Sequence, residues 1–204
     1  DLEHAIPHAI MEASLITAMR TSAVAGVGAK VLANPDSKVA GLVGAGVIGR
    51  TMIMSLITAM PKLEEIRLFD LNRKRAEDLA KEFKNQIKVI VVDSVEEAFK
   101  GADIVTTQTT ARKPFVKDEW IPKGSYFAPS RLHSEGKIRD EDITDIGKIL
   151  LGESPGRQSR DERILFANLG MGCLDITMAE RIYQNAKAKG LGQKLCLWEK
   201  PLWI

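Results

Sequence analysis

The chain has 204 residues, 29 Lys plus Arg against 27 Asp plus Glu, a formal charge of +2, and 45% apolar residues, the composition of an ordinary globular protein of one domain or a domain and a half. Two cysteines, Cys173 and Cys196, are too few for a disulfide framework, no Cys or His spacing suits a metal, and the charge balance with 5% aromatics gives no footprint for nucleic acid. No apolar run approaches the roughly 18–20 residues of a membrane span, and Asp1-Leu2-Glu3-His4 is no signal-peptide start, so the expectation is a cytoplasmic protein with no membrane partner.

In chain order, residues 14–33 form one helical pattern rich in Ala, Val and Leu. The turn signal Asn34-Pro35-Asp36-Ser37 precedes a buried strand over 38–43 that a glycine ends. The period then changes: Ile48, Met52, Ile53, Leu56 and Met60 recur at three- and four-residue steps until Pro61 stops the helix. Strands over 65–70, 88–92, 102–106 and 124–127 alternate with helices over 74–83 and 95–100. Beyond Leu132 the chain reads as a charged helical stretch through Leu151, then a loop, a strand over 163–167 and an amphipathic helix from 174 to 189, capped by Gly190. Alternation at this spacing predicts an α/β fold with a doubly wound parallel (Rossmann) sheet, inserted between N- and C-terminal pieces of a second, incomplete substrate and dimerisation layer. The boundaries implied are 1–33 for a first piece with the connecting helix, 34–131 for the dinucleotide-binding domain, and 132–204 for a helical return and C-terminal piece.

Gly44-Ala45-Gly46-Val47-Ile48-Gly49 is a G-x-G-x-x-G directly after a strand and opening a helix, the context in which the pattern gains weight. Gly44 permits the tight turn, Gly46 lets backbone approach a pyrophosphate, and Gly49 allows the helix close to the strand. The amides of Val47 and Ile48 sit at the positive end of the helix dipole. Asp70 closes the second strand 21 residues past Gly49, where a carboxylate accepts from an adenosine ribose. A carboxylate there repels a 2′-phosphate and Leu71 brings no cation, so NAD is favoured over NADP. Arg73 is placed to reach a phosphate if it turns inward, and otherwise belongs to a solvated first helical turn with Lys74 and Arg75.

Thr106 to Thr110 end the fourth strand on the edge where open α/β sheets bind ligands; Thr107 and Thr109 offer small hydroxyls to a ribose or nicotinamide, or simply form a strand end. Arg20 shares a helical row with Ala23, Val24, Val27 and Val31, the stripe expected to be buried, so its guanidinium needs a partner. A structural carboxylate, snorkelling past the helix end, and a bidentate clamp on a substrate carboxylate all satisfy that need. Phe166 to Gly172 is a second strand-to-glycine passage that puts Asn168 at the nicotinamide end, or is a packing turn. His4, His8 and His133 align with no acid or nucleophile, and no catalytic residue is named.

With these features assembled, the sequence resembles the ornithine cyclodeaminase and mu-crystallin family. Leu15 to Ala23, Gly101-Ala102-Asp103-Ile104-Val105-Thr106-Thr107, Pro155-Gly156-Arg157, and Leu169-Gly170-Met171-Gly172 with Asp175 match in order, and the tail from Gly192 to Trp203 is similar to ornithine cyclodeaminase-like members of the tyramine oxidase type. The resemblance implies a homodimeric NAD-dependent oxidoreductase or cyclodeaminase acting on an amino acid or cyclic imine. In ornithine cyclodeaminases a hydride leaves the α-carbon, the imine is attacked by the side-chain amine, ammonia departs and the hydride returns. It also implies an alternative, an NAD(P)H-dependent binding protein of mu-crystallin type without turnover. Carried over, Arg20 binds the substrate carboxylate, Asp70 the adenosine ribose, and Thr109 and Asn168 lie near the nicotinamide. The family's catalytic aspartate follows the fifth strand, where this chain reads Phe127-Ala128-Pro129-Ser130-Arg131-Leu132 with no acid before Glu135, and the join near Arg131 reads as abridged.

Overall fold

The computed structural model describes residues 3, 6–128, 143–168 and 170–196. Six strands, β1 (Val39–Val43), β2 (Glu65–Phe69), β3 (Lys88–Val91), β4 (Ile104–Thr107), β5 (Tyr126–Ala128) and β6 (Ile164–Leu165), form one sheet in the order β3-β2-β1-β4-β5-β6. Every pairing is parallel, with Val43 opposite Phe69 on one side and Thr107 on the other. The doubly wound sheet predicted from the alternation is therefore present, and its chain order reverses between β1 and β4. That reversal opens a crevice at the carboxyl ends of these two strands.

The helices are α1 (Ser14–Leu32), α2 (Val47–Ala59), α3 (Arg73–Phe83), α4 (Val95–Phe99), α5 (Ile146–Leu150) and α6 (Gly172–Ala188). Two apolar clusters flank the strands. One joins Ala25 and Ala29 of α1 and Ile53 and Leu56 of α2 with Leu42, Ile66, Ile104 and Tyr126, and the other joins Ala98 and Phe99 of α4 with Val43 and Val105. Alternate residues of β1 and β4 face opposite clusters, as the two-residue period of a strand requires.

The described residues fall into two compact units, Thr17 to Gly170 and, separately, residues 1–16 with 171–204. The division differs from the boundaries read at 33/34 and 131/132, because α1 from Thr17 onward packs as part of the sheet unit. In the smaller unit His8 stacks on Tyr183 of α6 with ring centroids 6.3 Å apart.

Element ends shift for local reasons. β4 starts at Ile104 rather than at Ala102, because Gly101 turns with φ +65° and the Asp103 carboxylate accepts from the Lys38 and Val39 amides at 2.8 and 3.0 Å. The final strand keeps only Ile164 and Leu165, and α6 begins at Gly172. Of the charged helical stretch, α5 is its described part; the portion before residue 143, with the Arg131 join and Glu135, lies outside the described residues, as do Leu169 and the tail beyond residue 196.

Two expectations about α1 are corrected. Its 19 residues are long and apolar enough, by length and composition, to cross a bilayer, although half of its 18-residue apolar window is buried inside the protein. Of the row expected to be buried, Arg20 is buried and Val24 and Val31 are half-buried against the core, whereas Ala23 and Val27 are exposed; Ala18, Ser22, Ala25, Gly26 and Ala29 are buried beside it. Small residues face inward because α1 and α2 nearly touch: a Cβ on Gly26 would lie 2.1 Å from Ser55 Oγ. In that narrow contact Ser22 Oγ and Thr51 Oγ1 share a 2.7 Å hydrogen bond and Ser55 Oγ donates to Ser22 O at 2.7 Å. Larger side chains do not fit at that contact, so the buried face is centred on small residues and the expected row overlaps it only in part.

Candidate cofactor and substrate site

The turn after β1 is built around three glycines with three different reasons to be glycine. Gly44 has φ +113°, and a Cβ on it would sit 2.4 Å from the Gln108 carbonyl oxygen, so both conformation and space exclude a side chain. A Cβ on Gly49 would lie 2.1 Å from Gly44 O, which sets the approach of α2 to the strand end. Gly46 is different, because a Cβ there would meet nothing within 4 Å. Gly46 also caps α2 without a side-chain hydrogen bond, and Val47 next to it is 63% exposed, so the first-turn amides, those of Val47 and Ile48 included, are offered to an anion.

Asp70 is held rather than free to swing. One carboxylate oxygen accepts from the Ala45 amide at 2.7 Å and the other from the Asn72 amide at 2.8 Å, and each oxygen keeps a lone pair for a further donor. The same contact ties the end of β2 to the glycine turn. Asn72 then caps α3 by accepting from the Arg75 amide at 3.1 Å. Arg73 bonds Glu77 at 3.0 Å and also pairs with Asp93, which commits its guanidinium away from an inward turn. A groove of about 660 Å³ runs from Ala45 and Gly46 past Asn72 along α2 and α3, with Arg50 and Glu82 paired across it at 2.6 Å.

The β4 end carries Thr107, which is 5% exposed, Gln108 and Thr109. The Gln108 amide nitrogen of the backbone donates to Val43 O at 2.8 Å, extending the ladder one residue beyond Thr107. Thr109 Oγ1 accepts from the Ala111 amide at 3.3 Å, and its methyl group would lie 3.4 Å from a Cβ on Gly44. Thr109 therefore borders the glycine turn. The Gln108 side chain is not singled out by the sequence motifs, and the available signal is a long amide set among small hydroxyls at a strand end.

Arg20 is 9% exposed on α1, and Gly170 packs so close that a Cβ there would be 3.3 Å from Arg20 Nη2. Asn168 Nδ2 donates to Thr21 O at 2.6 Å. Gly170 thus abuts the Arg20 guanidinium, and Asn168 is tied to the carbonyl of the next residue of α1. Tyr126 positions α1 from below: its hydroxyl donates to Ala25 O at 3.0 Å, and burial pushes its pKa well above the usual phenol value. Arg157 fixes the other end of α1, with Nε donating to Leu32 O and Nη1 to Glu162 O, each at 2.7 Å. Burial draws its pKa below the usual guanidinium value, with Glu162 opposing. Arg157 and Asp103 of the matched motifs therefore serve the scaffold. Among the described residues no group of three or more His, Cys, Asp or Glu side chains is arranged to hold a metal.

Comparison with known proteins gives concordant results. The model of the ornithine cyclodeaminase/mu-crystallin family matches residues 1–131 and 127–190, two stretches that meet at the end of β5. The N-((2S)-2-amino-2-carboxyethyl)-L-glutamate dehydrogenase of Staphylococcus aureus is 28% identical over 97% of this chain and 70% of its own length. That alignment spans 234 positions, more than this chain contains, so the relative carries segments that face gaps here. The Thermococcus litoralis Δ1-pyrroline-2-carboxylate reductase, solved with NADH and L-proline, superimposes with a TM-score of 0.89 at 31% identity, over 96% of this chain and 72% of that one. An archaeal alanine dehydrogenase dimer with bound NAD gives 0.86 at 27% identity, over 96% of this chain and 72% of its own.

Proposed function

The chain belongs to the ornithine cyclodeaminase/mu-crystallin family, and from that premise we propose that it is an NAD-dependent oxidoreductase or cyclodeaminase whose substrate is an α-amino acid or a cyclic α-imino acid. The observation that carries this reading is the open space at Gly46, in a turn whose two other glycines are fixed by protein contacts. The residues fit a dinucleotide: the turn and first-turn amides of α2 for the diphosphate, Asp70 for the adenosine ribose, and the β4 end with Thr107, Thr109 and Asn168 for the nicotinamide half. The nicotinamide, when bound, accepts or returns a hydride at the substrate's α-carbon. Arg20 holds the α-carboxylate, and the three relatives' names share that chemistry: alanine, pyrroline-2-carboxylate and an aminocarboxyethyl glutamate each carry a carboxylate beside a carbon–nitrogen bond. A fixed guanidinium orients such a substrate by two parallel hydrogen bonds and lowers the entropy lost in reaching the reactive geometry.

A second reading, a nicotinamide-dependent binding protein without turnover, is favoured by one observation. The family match comes as two stretches that overlap at residues 127–131 instead of one continuous run, at the place where the resemblance puts the general base. NADH absorbance with alanine and cyclic imines, together with ammonia release from ornithine and lysine, separates the two. Turnover of any of these supports the enzyme. Tight NADH binding with neither signal across the panel leaves the binder.

A further inference from the structure

Among the described residues, the buried side-chain polar atoms with no hydrogen-bond partner are Asn34 Oδ1, Thr106 Oγ1, both amide atoms of Gln108 and Asn168 Oδ1. Asn34 and Asn168 each use their nitrogen, on Gly124 O and Thr21 O respectively. Gln108 uses neither end of its carboxamide. A buried amide that neither donates nor accepts is costly in the free protein, and such groups call for a missing partner. Its position says which partner. β2 and β4 flank β1 on opposite sides, so Asp70 and Gln108 stand on either side of the glycine turn at the point where the sheet order reverses. A dinucleotide lying across that turn, with its adenosine ribose at Asp70, brings its second nucleoside to Gln108.

We infer that the Gln108 carboxamide is a binding group for the nicotinamide nucleoside of the cofactor. The inference rests on the dinucleotide reading and adds to it a side chain that the motifs do not name. The chemistry is matched on both sides. The amide offers donor and acceptor in one plane, and so do a ribose diol and a ring carboxamide, whereas a diphosphate accepts only. The Thr106 hydroxyl, on the penultimate residue of β4, and Asn168 Oδ1, three residues past β6, are further unmet polar atoms toward the same edge of the sheet.

The test is Gln108→Met, which keeps the length and removes both hydrogen-bonding ends. NADH, ADP-ribose and ADP are titrated calorimetrically into wild type and variant, and both apo proteins are melted. NADH affinity is expected to fall about tenfold or more while ADP affinity holds, and the apo melting temperature to stay level or rise, because an unmet amide has been removed. ADP-ribose weakens with NADH if the ribose diol is the partner and holds if the ring carboxamide is; both outcomes support the inference. Unchanged NADH affinity, an equal loss for ADP, or a lower apo melting temperature overturns it. If the Met variant does not fold, Gln108→Asn withdraws the amide by one methylene, and the same contrast between NADH and ADP decides. A wild type that binds none of the three ligands refutes the dinucleotide reading itself, a failure distinct from binding that Gln108 does not affect.

Discussion

The two halves of the crevice differ in how their polar groups are satisfied. On the β1 and β2 side, Asp70 bonds two backbone amides, Asn72 caps α3, and Arg73 is engaged with Glu77 and Asp93. On the β4 to β6 side, Thr106 Oγ1, the whole Gln108 amide and Asn168 Oδ1 are buried and unmet. The first half completes itself within the protein, which suits the proposed role of binding an adenosine diphosphate without rearrangement. The second carries buried polar atoms that no protein group meets, the kind of local cost that proteins accept at functional sites. The adenosine half should therefore be recognised with little rearrangement, and discrimination among ligands should arise on the other side.

The largest effect expected is at the turn itself. Gly49→Ala drives a methyl group to 2.1 Å from Gly44 O, and a backbone clash of that kind should cost about 3 kcal/mol or more in stability. Gly46→Ala meets no protein atom and should change stability by no more than about 1 kcal/mol while sharply weakening NADH. Thermal melts beside NADH titrations check the pair. If Gly46→Ala bound NADH as well as wild type, the space at that position would not be the ligand's.

Next comes Arg20→Ala, which should weaken a carboxylate ligand such as L-proline by about 2–5 kcal/mol if the guanidinium clamps it. Unchanged affinity with a lowered melting temperature would make Arg20 a scaffold residue instead. Asp70→Ala should follow, with NADH affinity falling on the order of 10- to 100-fold as charge-assisted hydrogen bonds to the ribose are lost. NADPH should lose far less. An equal loss for both nucleotides would mean that Asp70 acts only through the Ala45 and Asn72 amides.

The self-satisfied half is the legible one. A glycine pattern between a strand period and a helix period, and an acid 21 residues on, are local in sequence and set by backbone geometry that leaves few alternatives. The strand order follows from alternation and handedness. The α1 face is read only in part, with Arg20, Val24 and Val31 turned inward but Ala23 and Val27 not, because the contact with α2 selects for smallness, as at Gly26 and Ala29, and a search for large apolar side chains looks past that. Arg20 stands out as needing a partner, yet Gly170, which abuts it, and Asn168, which bonds the adjacent Thr21 carbonyl, lie about 150 residues away in the chain, and no short-range pattern links them. Gln108 escapes notice because an amide at a strand end is ordinary in sequence and becomes notable only once burial removes its water.

The smallest effect sharpens the contrast between a met and an unmet group. Tyr126 is fully buried and its hydroxyl has its partner in Ala25 O, so Tyr126→Phe should destabilise by about 1 kcal/mol at neutral pH, opposite in sign to the change expected on clearing the Gln108 amide. Burial raises the Tyr126 pKa above that of the unfolded chain. Below pH of about 10 the phenol is neutral in both states and the advantage over Phe is complete. Above it the unfolded state ionises first, so the wild type loses stability by up to about 1.4 kcal/mol per pH unit from this group while the variant does not. Denaturant melts of both proteins from pH 8 to 11 should show the gap constant, then closing and reversing. A gap that stays fixed across the range would mean that the hydroxyl reaches water in the folded protein, and with it that α1 is not seated on β5 as tightly as the hold on Arg20 requires.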